Sequence, residues 1–128
     1  MSDLHCAATL LVATLADGDH EQVRALARSL VTRRVARVYA DTLEQSVESG
    51  ALAAEVLGVD AVTIEGLDGV CVESLRGRAL DDPALGWVLA IADQHRGETV
   101  LVLTGVGRAS LAELSVDADG LVLRGGGA

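Results

Sequence analysis

The stretch "TVLVLTGVGRAS", residues 99–110, decides how the chain is read. Residues 99–103 are apolar or β-branched throughout, the pattern of a central parallel strand buried on both faces. Thr104 leads into Gly105-Val106-Gly107, a tight turn, and the residues from Arg108 to about Leu114 then read as a short helix. A strand that ends in glycines and feeds a helix leaves backbone N–H groups at the positive end of the helix dipole, where anions bind. Thr104, Gly105, Val106, Gly107 and Arg108 are therefore a candidate anion site. The turn lacks the lysine of a Walker loop, and no early strand–turn–helix unit surrounds it as a dinucleotide fingerprint requires. A purely structural glycine turn is the alternative reading.

On either side, apolar runs alternate with amphipathic stretches, the sequence form of a parallel sheet covered by helices. "TLLVATL", residues 9–15, is a second strand apolar on both faces, expected beside residues 99–103 in the sheet interior. Asp19 and Gln22 form a capping pattern ahead of Val23, Leu26, Ala27, Leu30 and Val31 at helical spacing. A strand over 35–39 follows. Thr42 and Gln45 then repeat the capping pattern before a second helix with apolar Leu43, Val47, Ala51, Ala54 and Leu57, ended by Gly58. A short strand over 61–64, an irregular segment over 66–81, a third helix opened by Asp82-Pro83 and stopped by Gly97, and a last strand over 120–123 complete the reading. Residues 1–124 read as a single domain and 125–128 as a flexible glycine-rich tail.

Composition narrows the function classes. The chain has 128 residues, half of them apolar, enough for one core. Nineteen acidic residues against ten basic ones give a formal charge of −9, which repels nucleic acid and anionic membrane surfaces. Tyr39 and Trp87 are its aromatic residues, too few for a base-stacking platform. Cys6 and Cys71 lie far apart without metal-ligand spacing, the first residues show no basic region followed by an apolar stretch and a cleavage site, and no apolar run approaches a membrane span. The expectation is a soluble, cytoplasmic protein with no cofactor and no metal. One segment departs from the acidic background: Arg24, Arg28, Arg33, Arg34 and Arg37 fall between Gln22 and Ala40 with no acidic residue among them. Two readings stay open for them, a solvated basic face or a surface that meets an acidic partner or a second copy of the chain.

Three blocks carry a resemblance: "EQVRALARSL" from Glu21, "VYADTLEQSVESGALAAEVLG" from Val38 and "HRGETVLVLTGVGRASLAEL" from His95. In this order and spacing they resemble the histidine phosphatase superfamily, whose members carry "EQARALAxxL", "VYSSxLxRAxQTAExLA" and "HPGETVLVVSHGGxIRALL" at these places. The resemblance implies a three-layer α/β/α sandwich with a mostly parallel central sheet, the phosphoglycerate mutase-like fold. It also implies a phosphoryl pocket at the carboxyl ends of the strands. In that family an Arg-His pair ends the first strand, and its histidine takes the phosphoryl group covalently. A second arginine, a second histidine and an acid complete the site: an imidazole to attack, cations to balance phosphoryl oxygens, an acid for the leaving oxygen.

Position by position, the Arg-His pair falls on Ala13 and Thr14, the second arginine on Gln45 and the second histidine on Gly105. The acid falls on Gly69, with Asp68 beside it. Nucleophile and cationic clamp are both replaced, and His5, His20 and His95 map onto no catalytic position; each reads as solvated or structural, with His95 at a helix end facing water. The "TGVGR" turn thus reads as the shell of a phosphate cradle. The resemblance implies a catalytically inactive relative, a pseudoenzyme acting by binding a protein partner. A domain using the emptied pocket for a phosphorylated or carboxylated metabolite is the second reading, and a divergent phosphoester hydrolase the third.

Overall fold

The computed structural model describes residues 8–14, 20–64, 86–104, 110–117 and 120–124. Six strands, β1 (Ala8–Thr14), β2 (Val35–Ala40), β3 (Ala61–Thr63), β4 (Thr99–Thr104), β5 (Ser110–Asp117) and β6 (Gly120–Arg124), form one sheet in the order β3-β2-β4-β1-β5-β6. The first four are parallel, and β5 and β6 are antiparallel additions on the β1 side. As the two apolar runs predict, β1 and β4 lie side by side and parallel in the interior, from Thr9 opposite Thr99 to Thr14 opposite Thr104.

Alternation along these strands sorts the core into two layers. Leu10, Val12, Val100 and Val102 point to one face, where Trp87, Val88, Ile91 and Ala92 of α3 (Gly86–Gln94) cover them together with Leu114 and Val116 of β5. Leu11, Ala13, Leu101 and Leu103 point to the other, against Val23 and Ala27 of α1 (His20–Ser29) and Ala53 and Ala54 of α2 (Glu44–Leu57). The result is the three-layer α/β/α arrangement expected of a parallel sheet with both faces buried.

Helix α2 packs closely because its inner face is small. Ser46, Ser49, Gly50 and Ala53 recur at helical spacing and are all buried. A β-carbon at Gly50 would stand 3.1 Å from the Ala40 methyl and 3.9 Å from Val38 Cγ1. The helix ends where predicted, at Gly58, whose φ of 73° is left-handed and lets Val59 N–H donate to the Ala54 carbonyl.

Two local expectations are corrected. The helix expected from Arg108 to about Leu114 is not there over 110–114: the chain from Ser110 is strand β5, antiparallel to β1. Its residues alternate, Leu114 and Val116 inward to the α3 layer and Glu113 and Ser115 half-exposed, so a two-residue period wins over the leucine spacing that mimics a helix. The N-cap of α2 also falls one residue later than the Thr42 pattern places it. Leu43 is the N-cap residue and has no side-chain cap, while the buried Asp41 carboxylate accepts the Leu43 N–H at 3.1 Å in an Asx-type turn. The Asp19 cap, the irregular 66–81 segment, the Asp82-Pro83 helix start and the 125–128 tail lie outside the described residues.

Candidate functional site

Parallel strands bring their carboxyl ends to one edge, and there β1 and β4 finish on a matched pair. Thr14 and Thr104 are register partners. Their hydroxyl oxygens are 3.0 Å apart, and both residues are buried, 2% and 0% exposed. Each hydroxyl thus has the other as a hydrogen-bond partner away from water. Thr14 is the position at which the resemblance places a nucleophile. A threonine that is to attack phosphorus needs a base within hydrogen-bond reach of its proton, and another hydroxyl is not one. Asp41 follows β2, two strands away from Thr14 but next to Thr104, its N–H donating to the Leu103 carbonyl at 3.2 Å. Its Oδ1 accepts the Leu43 N–H. Ala13, the preceding position, points to the opposite layer and packs in the core with Leu11, Leu103 and Val23.

Gln45 lies in the first turn of α2, beside a cleft of about 440 Å³ whose described lining is Leu43, Glu44, Gln45 and Glu48. The resemblance calls for a cation at position 45. An uncharged amide stands there instead, flanked on the same cleft by two carboxylates, and His20 Nε2 is 3.9 Å from Glu48 Oε2. Like charge disfavours a phosphate dianion at such a place. Glu44, Glu48 and Asp41 were not singled out from sequence, although an acidic pair four residues apart bracketing Gln45 was a readable signal.

Thr104 closes β4, but Gly105, Val106, Gly107 and Arg108 lie outside the described residues, as does Gly69. The anion reading of that turn leaned on a following helix N-terminus. Because the chain continues as β5, it has no dipole from a helix over 108–114 to draw on.

The five arginines do not form one free face. Arg24 pairs with Glu21 at 2.7 Å and Arg33 with Glu113 of β5 at 2.9 Å, while Arg37 sits half-buried in β2. Arg28 and Arg34 are exposed, Arg34 in the left-handed region at φ 54° where it closes the 3-10 turn Val31–Arg33. His95 is corrected from a water-facing helix end to a buried residue, 5% exposed. Its Nε2 lies 2.7 Å from the Tyr39 hydroxyl and its Nδ1 2.9 Å from Glu98 Oε1. A carboxylate only accepts, so the neutral ring carries its proton on Nδ1 and takes the Tyr39 proton on Nε2. Among the described residues, no three His, Cys, Asp or Glu side chains gather where they could hold a metal ion. No described helix is long and apolar enough to cross a membrane.

The architecture has close parallels among solved structures. YhfR of Bacillus stearothermophilus matches with a TM-score of 0.69 at 16% identity, covering 92% of this chain and 96% of its own. Phosphoglycerate mutase from Plasmodium falciparum matches with a TM-score of 0.64 at 10% identity, over 94% and 90%. SixA from Agrobacterium tumefaciens, assigned as a phosphohistidine phosphatase, matches with a TM-score of 0.55 at 13% identity, over 96% and 98%. No protein-family model and no curated protein matches the chain by sequence. At these identities the likeness establishes the fold, which is the phosphoglycerate mutase-like fold of the histidine phosphatases.

Proposed function

We propose that the chain is a catalytically inactive member of the histidine phosphatase superfamily that acts by binding, with a protein as its partner. The observation that carries this reading is the buried Thr14–Thr104 hydroxyl pair, which joins the carboxyl ends of the two central strands through one hydrogen bond where the resemblance calls for a histidine. The clamp position, Gln45, supplies no positive charge. Phosphoryl transfer depends on positioning and on charge stabilisation, so a site without nucleophile or cation retains neither source of rate. Turnover of a phosphate monoester is the direct test, with none above buffer expected.

The cleft beside Gln45 favours a second reading, a domain that holds a small ligand there. Calorimetry with inorganic phosphate and vanadate separates the two. Each charged hydrogen bond contributes about 1.5–3 kcal/mol, and the loss of several leaves phosphate binding at about millimolar or weaker. Micromolar binding of either anion would move the protein to the class of phospholigand sensors.

A further inference from the structure

Three large apolar side chains are exposed among the described residues, and they divide between two places of opposite charge. Val31, 55% exposed, sits in the 3-10 turn after α1 with Arg28 on the last turn of the helix before it and Arg33 and Arg34 after it. Leu43 and Val47, 39% and 41% exposed, sit at the start of α2 with Glu44 and Glu48. Both helices leave the carboxyl edge of the sheet and run to the opposite edge, since each connects the end of one parallel strand to the start of the next. The acidic patch therefore lies at one end of the α1–α2 layer and the basic patch at the other, separated by the length of β2, about 20 Å.

Helix dipoles favour acids at helix starts and bases at helix ends, which accounts for the charges within one molecule. They do not account for the apolar residues left in water at the centre of each patch. An apolar anchor ringed by charge is the composition of an interface centre with a polar rim. The two patches lie on one layer with opposite signs at opposite ends, so the face is complementary to itself when turned around.

Resting on the reading of the chain as a binding domain, we propose that the partner is a second copy, docked α1–α2 face to α1–α2 face across a two-fold axis. Val31 with Arg28 and Arg34 of each copy then seats on Leu43, Val47, Glu44 and Glu48 of the other, and the contact is made twice. Closed two-fold dimers are the commonest assembly, and a standard one covers about 800 Å² per partner. The exposed surface of one chain is 6731 Å². At about 0.15 M salt, charges beyond about 8 Å are screened, so the overall charge of −9 does little to oppose patches in contact.

Sedimentation velocity at about 0.15 M salt on the wild type and two charge-reversed variants tests this. One variant carries Arg28→Glu with Arg34→Glu, the other Glu44→Arg with Glu48→Arg. The wild type is expected at twice its 13.2 kDa, and each variant alone at the monomer mass with an unchanged circular dichroism spectrum. An equimolar mixture of the two variants is expected to regain the dimer mass, because both contacts again pair opposite charges. The glutamate-to-arginine variant brings the net charge closer to zero, so general repulsion alone predicts more association from it, and docking predicts less. A wild type that stays monomeric, a mixture that fails to recover, or growth beyond the dimer overturns the proposal. Phosphomonoester turnover measured on the same samples keeps the two claims apart. A monomer without turnover removes the dimer and leaves the binding reading, whereas turnover counts against the binding reading and leaves the mass to decide on the dimer.

Discussion

His95→Ala is expected to lower the stability of the fold by about 2–4 kcal/mol, a fall of roughly 8–15 °C in Tm for a domain of this size. The imidazole joins the end of α3 to the carboxyl end of β2 through Tyr39 and anchors the turn before β4 through Glu98. Alanine removes the acceptor of a hydroxyl whose residue is 4% exposed, and leaves a gap where the imidazole meets the Tyr39 ring edge-on at 5.7 Å between centroids. The unpaired Tyr39 hydroxyl contributes about 1–3 kcal/mol of the loss and the missing ring volume the rest. Adding Tyr39→Phe to His95→Ala is expected to cost little more than His95→Ala alone, because the orphaned hydroxyl goes with it. Additive losses in that denaturation cycle would mean the two residues are not coupled as their 2.7 Å separation implies.

Gly50→Val is the second large effect, an expected loss of about 2–3 kcal/mol measured by urea unfolding. The β-carbon alone would stand 3.1 Å from the Ala40 methyl, and the two γ-carbons have to enter the same gap between α2 and β2. Gly50→Ala sits near balance, since removing a helix-interior glycine gains about 0.5–1 kcal/mol while the added methyl crowds Ala40. Pairing Gly50→Ala with Ala40→Gly moves the methyl from strand to helix and is expected to restore packing. Wild-type stability for Gly50→Val would show that α2 can lift away from the sheet at no cost.

Much of this fold was legible because burial on both faces leaves a plain mark. The apolar runs of β1 and β4 could only be central parallel strands, and Gly58 could only end a helix in the left-handed region. Residues 110–117 were not legible in the same way, since Leu111 and Leu114 stand three apart as in a helix. Pairing with β1 decides for the competing two-residue period, in which Leu114 and Val116 alternate with Glu113 and Ser115. The start of α2 was legible to within a residue: the Thr42 pattern places the cap one position before Leu43, whose N–H donates to the buried Asp41. Of the site, Ala13, Thr14 and Gln45 were readable one by one as the residues standing where the resemblance calls for arginine and histidine. That Thr14 would find Thr104, and His95 would find Tyr39, depends on residues 90 and 56 positions apart meeting through strand order, which local pattern does not encode.

The central claim is that this fold performs no phosphoryl transfer at the carboxyl ends of β1 and β4. Its most direct test is release of inorganic phosphate from a chromogenic phosphate ester, phosphosugars and phosphohistidine peptides, alongside Thr14→Ala and His20→Ala. The account predicts no release above buffer for the wild type and no difference between it and either variant. Reproducible turnover that disappears in Thr14→Ala or in His20→Ala would contradict it.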